Sequence, residues 1–213
     1  EQLQQQLNKS ILAPIYFISG EEIVLIQAAS NAIRLAAKKA GFTDRQVFYS
    51  DTHFNASSLI GCMNNYGLFA DKQLLELHLP PTYSETITQT LTLYAKNPPP
   101  NKLLLIIAGK LDRRLQQTTW FKSIDKVGLI ISIWPLQALQ LLRWVTERFH
   151  AMGLKIEKAA IECLIFSTEG NLLATAQTIE KLSLYFDIKN NIITTDMLMQ
   201  ALSDSARFDP FKL

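Results

Sequence analysis

The 213-residue sequence has no apolar run of the roughly 18 residues that a membrane-spanning helix needs, so it offers no candidate span. Cysteine is scarce. Cys62 and Cys163 stand far apart, each among apolar neighbours, which predicts two buried, reduced thiols rather than a disulfide framework. No CxxC pair occurs, so cysteine alone cannot build a zinc site. His53, His78 and His150 show no ligand spacing either. Charge of neither sign dominates. The formal net charge is +2, too mild to mark a nucleic-acid binder by itself. The Gln-rich opening from Glu1 carries no charged-then-apolar leader, which predicts a cytoplasmic protein with ample apolar material for a core.

What is present is an alternation of two periodicities. Residues 15–19 (IYFIS) form a short apolar run opening onto Gly20. Residues 22–40 read as a helix, with Ala28, Ala29, Ala32, Leu35, Ala36 and Lys39 at helical spacing, stopped by Gly41. Further strands are expected at 47–50, 74–79, 103–108 and 129–133, and helices at 57–65, 85–96 and 113–122. Pro80-Pro81 and Pro98-Pro99-Pro100 terminate elements. The continuous run LLLIIA at 103–108 belongs to a strand buried on both faces. Five strands separated by helices imply a mainly parallel α/β domain over residues 1–135.

After Trp134-Pro135 the strand signal vanishes. Leu141, Leu142, Val145, Phe149 and Met152 share one helical face, and Gly153 ends that helix. Ala160, Ile161, Leu164 and Ile165 mark a second helix; Leu172, Ala176, Ile179, Leu182 and Phe186 mark a third. Thr194 or Thr195 caps a fourth. A small helical bundle is therefore expected over 136–205. Residues 206–213 end in FDPFKL, and Phe208, Phe211 and Leu213 at that place point to a linker toward a further domain.

An α/β domain followed by a helical one is the plan of many nucleotide-driven motors, yet the motor chemistry is missing. After the first strand a phosphate loop would read GxxxxGK[ST], its backbone N–H groups and Lys cradling the phosphates. Here the chain reads Gly20-Glu21-Glu22-Ile23-Val24-Leu25-Ile26, with no second glycine and no lysine. Two carboxylates stand where a polyphosphate would sit and would repel it. No Asp-Glu pair ends a strand to hold magnesium, and neither GxSxG nor HExxH occurs. Glu21 and Glu22 fit the solvated start of a helix better than an acid/base pair.

Two features remain open on the residues alone. Tyr66-Gly67-Leu68-Phe69 places an apolar pair at an element end, between Asn64-Asn65 and Asp71-Lys72. Leu68 and Phe69 either fold back into the local core or anchor a partner's groove. Lys110, Arg113 and Arg114, with Lys122 and Lys126, form either a solvated basic face or a lining for DNA.

Several stretches, in this order and spacing, resemble the delta subunits of the bacterial clamp loader of DNA polymerase III. They are PIYFISGEE from Pro14 to Glu22 with the following LIQAASNAIR, then Gly67-Leu68-Phe69-Ala70, then LLLIIAGKLDRRLQQTTWFKSI, Trp134-Pro135, GNLLATAQTIEKL and SDSARFDPFKL. The resemblance implies an AAA+-like α/β domain with its nucleotide site lost, followed by a helical lid, with a collar domain beginning beyond the FDPF segment. It implies a subunit that opens the DNA sliding clamp (beta) during replication without hydrolysing ATP and without a cofactor. Its partners would include gamma/tau and delta-prime subunits and, through the assembly, primer-template DNA. In the family a Leu-Phe pair after a helix of the first domain enters the clamp's hydrophobic pocket. That falls on Leu68 and Phe69, with Gly67 before them and Tyr66 where relatives are usually apolar. The rival expectation is a degenerate α/β binding module for an unrelated protein.

Overall fold

A computed structural model describes residues 2–7, 11–50, 56–64, 72–80, 82, 84–185 and 192–207. The chain forms two compact units, Glu1–Trp134 and Pro135–Leu213.

The first unit contains α1 (Gln2–Leu7), β1 (Ile15–Gly20), α2 (Ile23–Lys39), β2 (Phe42–Tyr49), α3 (Ala56–Asn64), β3 (Lys72–Leu79), α4 (Glu85–Lys96), β4 (Lys102–Ala108), α5 (Arg113–Gln116), α6 (Thr119–Val127) and β5 (Leu129–Ile133). The five strands form one parallel sheet in the order β2-β3-β4-β1-β5. The central strands are apolar on both sides because both faces are covered. On one face Phe17, Leu75, Leu77, Leu104 and Ile106 pack with Leu59 and Met63 of α3, Ile87 and Leu91 of α4, and Trp120 and Phe121 of α6. The Phe17 ring meets Phe121 edge-on at 5.6 Å. On the other face Tyr16, Ile18, Leu74, Leu103 and Leu105 pack with Ile33 and Ala37 of α2, and α1 adds Leu3 and Leu7. Gly41 has φ +91°, the left-handed geometry that stops α2 and turns the chain into β2.

The second unit contains α7 (Ala138–Ala151), β6 (Lys155–Ile156), α8 (Lys158–Ser167), α9 (Leu172–Tyr185), β7 (Ile192–Ile193) and α10 (Thr195–Arg207). Its core takes Leu141, Val145, Phe149, Ala160, Ile161, Leu164, Leu172, Ala176, Ile179 and Leu182 from the expected helical stripes and adds Leu198 of α10, while Leu142, Met152 and Ile165 of those stripes are half-buried. Asn171 accepts the Ala174 N–H at 3.0 Å and caps α9, and Thr194 Oγ1 accepts from Met197 N at 3.4 Å to start α10.

The structure departs from the sequence reading at several points. The helix expected at 113–122 is two helices, because the backbone of Thr118 is extended (φ −68°, ψ 153°) and interrupts the helical ladder between α5 and α6. The stretch after 135 contains a parallel two-strand pair, Lys155–Ile156 with Ile192–Ile193, too short to leave a periodic signal. The opening glutamines form α1, held by two leucines. The buried face of α2 is Val24, Ser30, Ile33 and Ala37, and Leu35 of the expected stripe is 61% exposed. Alanines and aliphatics occur all round this helix, so spacing alone did not select its face. Both cysteines are half-buried rather than buried. Cys62 Sγ donates to Gln46 Oε1 at 2.9 Å, and Cys163 Sγ lies 3.5 Å from Met199 Sδ. The last helix, expected to run through Leu202, continues to Arg207, and Phe186 and residues 208–213 lie outside the described residues.

Candidate functional site

Open α/β sheets bind ligands in the crevice beyond the carboxyl ends of their strands. Here β1 ends at Gly20, in register with Ile133 of β5. A Cβ at Gly20 would lie 2.6 Å from Ile133 O, so glycine is required by the approach of the two strands. The next residue, Glu21, pairs with Lys110 at 3.1 Å; both side chains are largely exposed. Such a pair contributes under about 1 kcal/mol, but it occupies the approach to the start of α2. Glu22 precedes that helix and makes no side-chain cap. A cleft of about 620 Å³ lies along α2, lined by Ile23, Ile26, Ile107 and Leu79 and by the polar side chains of Gln27, Ser30, Asn31 and Arg34. Its one guanidinium, Arg34, is turned onto Glu76 at 2.7 Å. Among the described residues no group of three or more His, Cys, Asp or Glu is placed to hold a metal ion, and no helix is long and apolar enough to cross a membrane.

The expected basic residues follow β4. Asp112 accepts the Arg114 N–H at 3.3 Å and so caps α5, leaving the Arg113 and Arg114 side chains exposed on that short helix. Lys110 belongs to the ion pair with Glu21. Lys122 and Lys126 are exposed on α6.

Tyr66, Gly67, Leu68 and Phe69 lie outside the described residues. The helix before them, α3, buries Leu59 and Met63 and ends at Asn64. The ammonium of Lys102, at the start of β4, donates to the Cys62 carbonyl oxygen in the last turn of α3 and to Gln73 Oε1 at 3.3 Å. Lys102 is a buried cation whose pKa burial lowers, and a helix C-terminus is where a positive charge is stabilised.

Residues 16–133 match the family "DNA polymerase III, delta subunit", a span that runs from β1 to the end of β5. The chain belongs to this delta-subunit family. It is 31% identical over 212 residues to DNA polymerase III subunit delta of Escherichia coli K12, covering 99% of this chain and 61% of that protein. The corresponding protein of Haemophilus influenzae is 29% identical over 216 residues, with 100% and 62% covered. The chain thus spans about three fifths of the length of the curated relatives it matches. Among solved structures it is similar to the Bacillus subtilis DNA clamp loader delta protein, with TM-score 0.65, 18% identity, and 93% of this chain and 61% of that one covered. The Thermotoga maritima RuvB Holliday junction branch migration motor shares the fold at TM-score 0.55 and 12% identity, with 95% and 67% covered. The architecture is therefore AAA+-like.

In this delta-family chain one cluster escaped the sequence reading. Glu76, in the middle of β3, is fully buried, yet it accepts from Arg34 Nε and Nη2 at 2.9 and 2.7 Å, from Arg45 Nε at 3.0 Å, and lies 2.8 Å from His78 Nε2. Burial alone would raise its pKa; the hydrogen bonds from Arg34, Arg45 and His78 outweigh that and hold it at about 2. His78 also stacks on Tyr49, ring centroids 4.7 Å apart. The available signal was a carboxylate inside the apolar strand KQLLELHL, which demands a buried cation. The partners sit on α2 and β2, and only the sheet brings them together.

Proposed function

We propose that this chain is the clamp-gripping part of a clamp-loader delta subunit, one that binds and opens the DNA sliding clamp (beta) during replication and leaves ATP hydrolysis to neighbouring subunits. The observation that carries the reading is delta-family membership across the whole α/β unit. The strand-end geometry supports the second half. Where a motor needs a lysine and a second glycine, this chain has Glu21 paired with Lys110, and Gly20 pressed against Ile133. Neither arrangement supplies the lysine and second glycine with which a phosphate loop cradles a polyphosphate.

Leu68 and Phe69, which follow α3 in the sequence, are the proposed anchor, with Tyr66 and Gly67 just before them contributing to the same contact. Burying both apolar side chains would contribute roughly 3–6 kcal/mol before association costs. That suits a reversible grip. Binding that favours the clamp conformation with an open subunit interface would bias an existing equilibrium toward opening. In this reading the Pro135–Leu213 unit serves as the helical lid, and residues 206–213 lead toward a collar domain that joins delta to gamma/tau and delta-prime. Lys110, Arg113 and Arg114 face primer-template DNA in the assembled cytoplasmic loader.

The test is calorimetric titration of the clamp with the wild-type chain and with Leu68→Ala/Phe69→Ala. The expected result is loss of measurable binding with an unchanged thermal unfolding curve. Undiminished affinity in the double variant removes the anchor from the account.

A further inference from the structure

The Glu76 cluster does more than balance a buried charge, because it fixes the floor of an exposed surface. His78 is locked by its bond to Glu76, and Tyr49 lies flat against it. The two residues are neighbours across β2 and β3, and Tyr49 is 64% exposed although it is a large aromatic side chain. His78 also forms one end of the cleft along α2. Ser30 lines that cleft, is 1% exposed, and its hydroxyl oxygen has no hydrogen-bond partner. The cleft therefore offers an aromatic platform at one end and an unsatisfied polar group within, beside the amides of Gln27 and Asn31.

The charge around it is one-sided. Arg34 and Arg45 converge on Glu76, Lys38 stands one helical turn beyond Arg34, and Lys72 reaches the Ala40 carbonyl at the end of α2. Arg34 and Arg45 share the Glu76 carboxylate, Lys38 is exposed beyond them, and Lys72 lies at the other end of β3, while the entire chain carries a net charge of only +2. Glu21 is the one carboxylate among the described residues that line the cleft, and it is paired with Lys110. A ligand that is negative along its length and planar at intervals meets this surface on both counts.

We propose that the Tyr49–His78 stack and the adjoining α2 cleft form a binding site for single-stranded DNA. One base is taken between the platform and the cleft wall, and its flanking phosphates lie along Arg45 and Lys38. An exposed aromatic beside cations is the combination that binds unpaired bases without reading their sequence. A duplex, whose bases are already stacked on one another, cannot use the platform. The site uses residues of β2, β3 and α2 and none of Leu68, Phe69, Arg113 and Arg114, so it stands or falls independently of the clamp-gripping reading.

The test is fluorescence anisotropy of a labelled oligothymidylate titrated with this chain at several salt concentrations. The wild type is expected to bind the strand more tightly than a duplex of equal length. Tyr49→Ala is expected to weaken binding about tenfold, the effect of removing one stacked base, while Tyr49→Phe retains it. Lys38→Ala is expected to reduce the slope of log affinity against log salt by about 0.7, as when one phosphate of a single strand is no longer neutralised. Circular dichroism melts of the variants confirm that the unit is folded. Equal affinity for duplex, unchanged affinity in Tyr49→Ala, or displacement of the probe by polyglutamate or by free ATP as readily as by unlabelled strand would each overturn the proposal.

Discussion

A carboxylate without solvent keeps its charge only if its neighbours hold it there, and at Glu76 they are two guanidiniums and an imidazole. The pKa falls from 4.5 to about 2 on folding. A depressed pKa contributes stability that is present above the unfolded value and is lost as pH falls through the folded one. The affected window therefore runs from about pH 4.5 down to about 2, and the shift corresponds to roughly 3 kcal/mol. Urea midpoints of the α/β unit should fall across that window. Glu76→Gln should be less stable at neutral pH by a similar amount and should show a flatter acid limb, because it has no proton to take up there. An acid limb unchanged by the substitution would place the titration elsewhere. The same residue marks the limit of reading β3 in isolation. Glu76 can be seen as anomalous in KQLLELHL, but Arg34 and Arg45 lie 42 and 31 positions away.

At the level of elements, the strands with continuous apolar runs were legible, and the reason is physical. β4 is covered on both faces, so LLLIIA needs no alternation and stands out. β5 and α4 begin and end where expected because Gly128 and the Pro98–Pro100 run punctuate them. β2 was read short, since its first half, Phe42 to Arg45, is an exposed edge with polar side chains that resembles a loop. β1 depends on an approach that no periodicity encodes, that of Gly20 to Ile133. Gly20→Ala should therefore destabilise the unit by about 1–3 kcal/mol, the usual cost of forcing atoms into a space already filled, as read from the urea midpoint. A neutral result would mean that β5 can move aside. The Leu-Phe element was legible only as an alternative, because an apolar pair at a helix end serves a core and a partner's groove equally well.

At the scale of the whole molecule, Arg113 and Arg114 are exposed on α5, and the proposal that they face DNA makes a prediction about salt dependence. Charge reversal at Arg113 and Arg114 should lower the salt dependence of DNA binding by the assembly, by about 0.9 in slope for each duplex phosphate that is no longer neutralised. An unchanged slope identifies them as a solvated face. By itself the sequence determined the class of the fold, the boundary near Trp134-Pro135, the want of a phosphate loop and the family likeness. These are local or ordered along the chain, since apolar runs, breakers and motif spacing survive without coordinates. Only the tertiary structure decided which face of α2 is buried, that Gly20 serves strand packing, and that Glu76 gathers Arg34, Arg45 and His78 beneath an exposed Tyr49. Parallel strands join residues through long crossovers, so the groups that meet at one edge of the sheet are separated in sequence by entire helices.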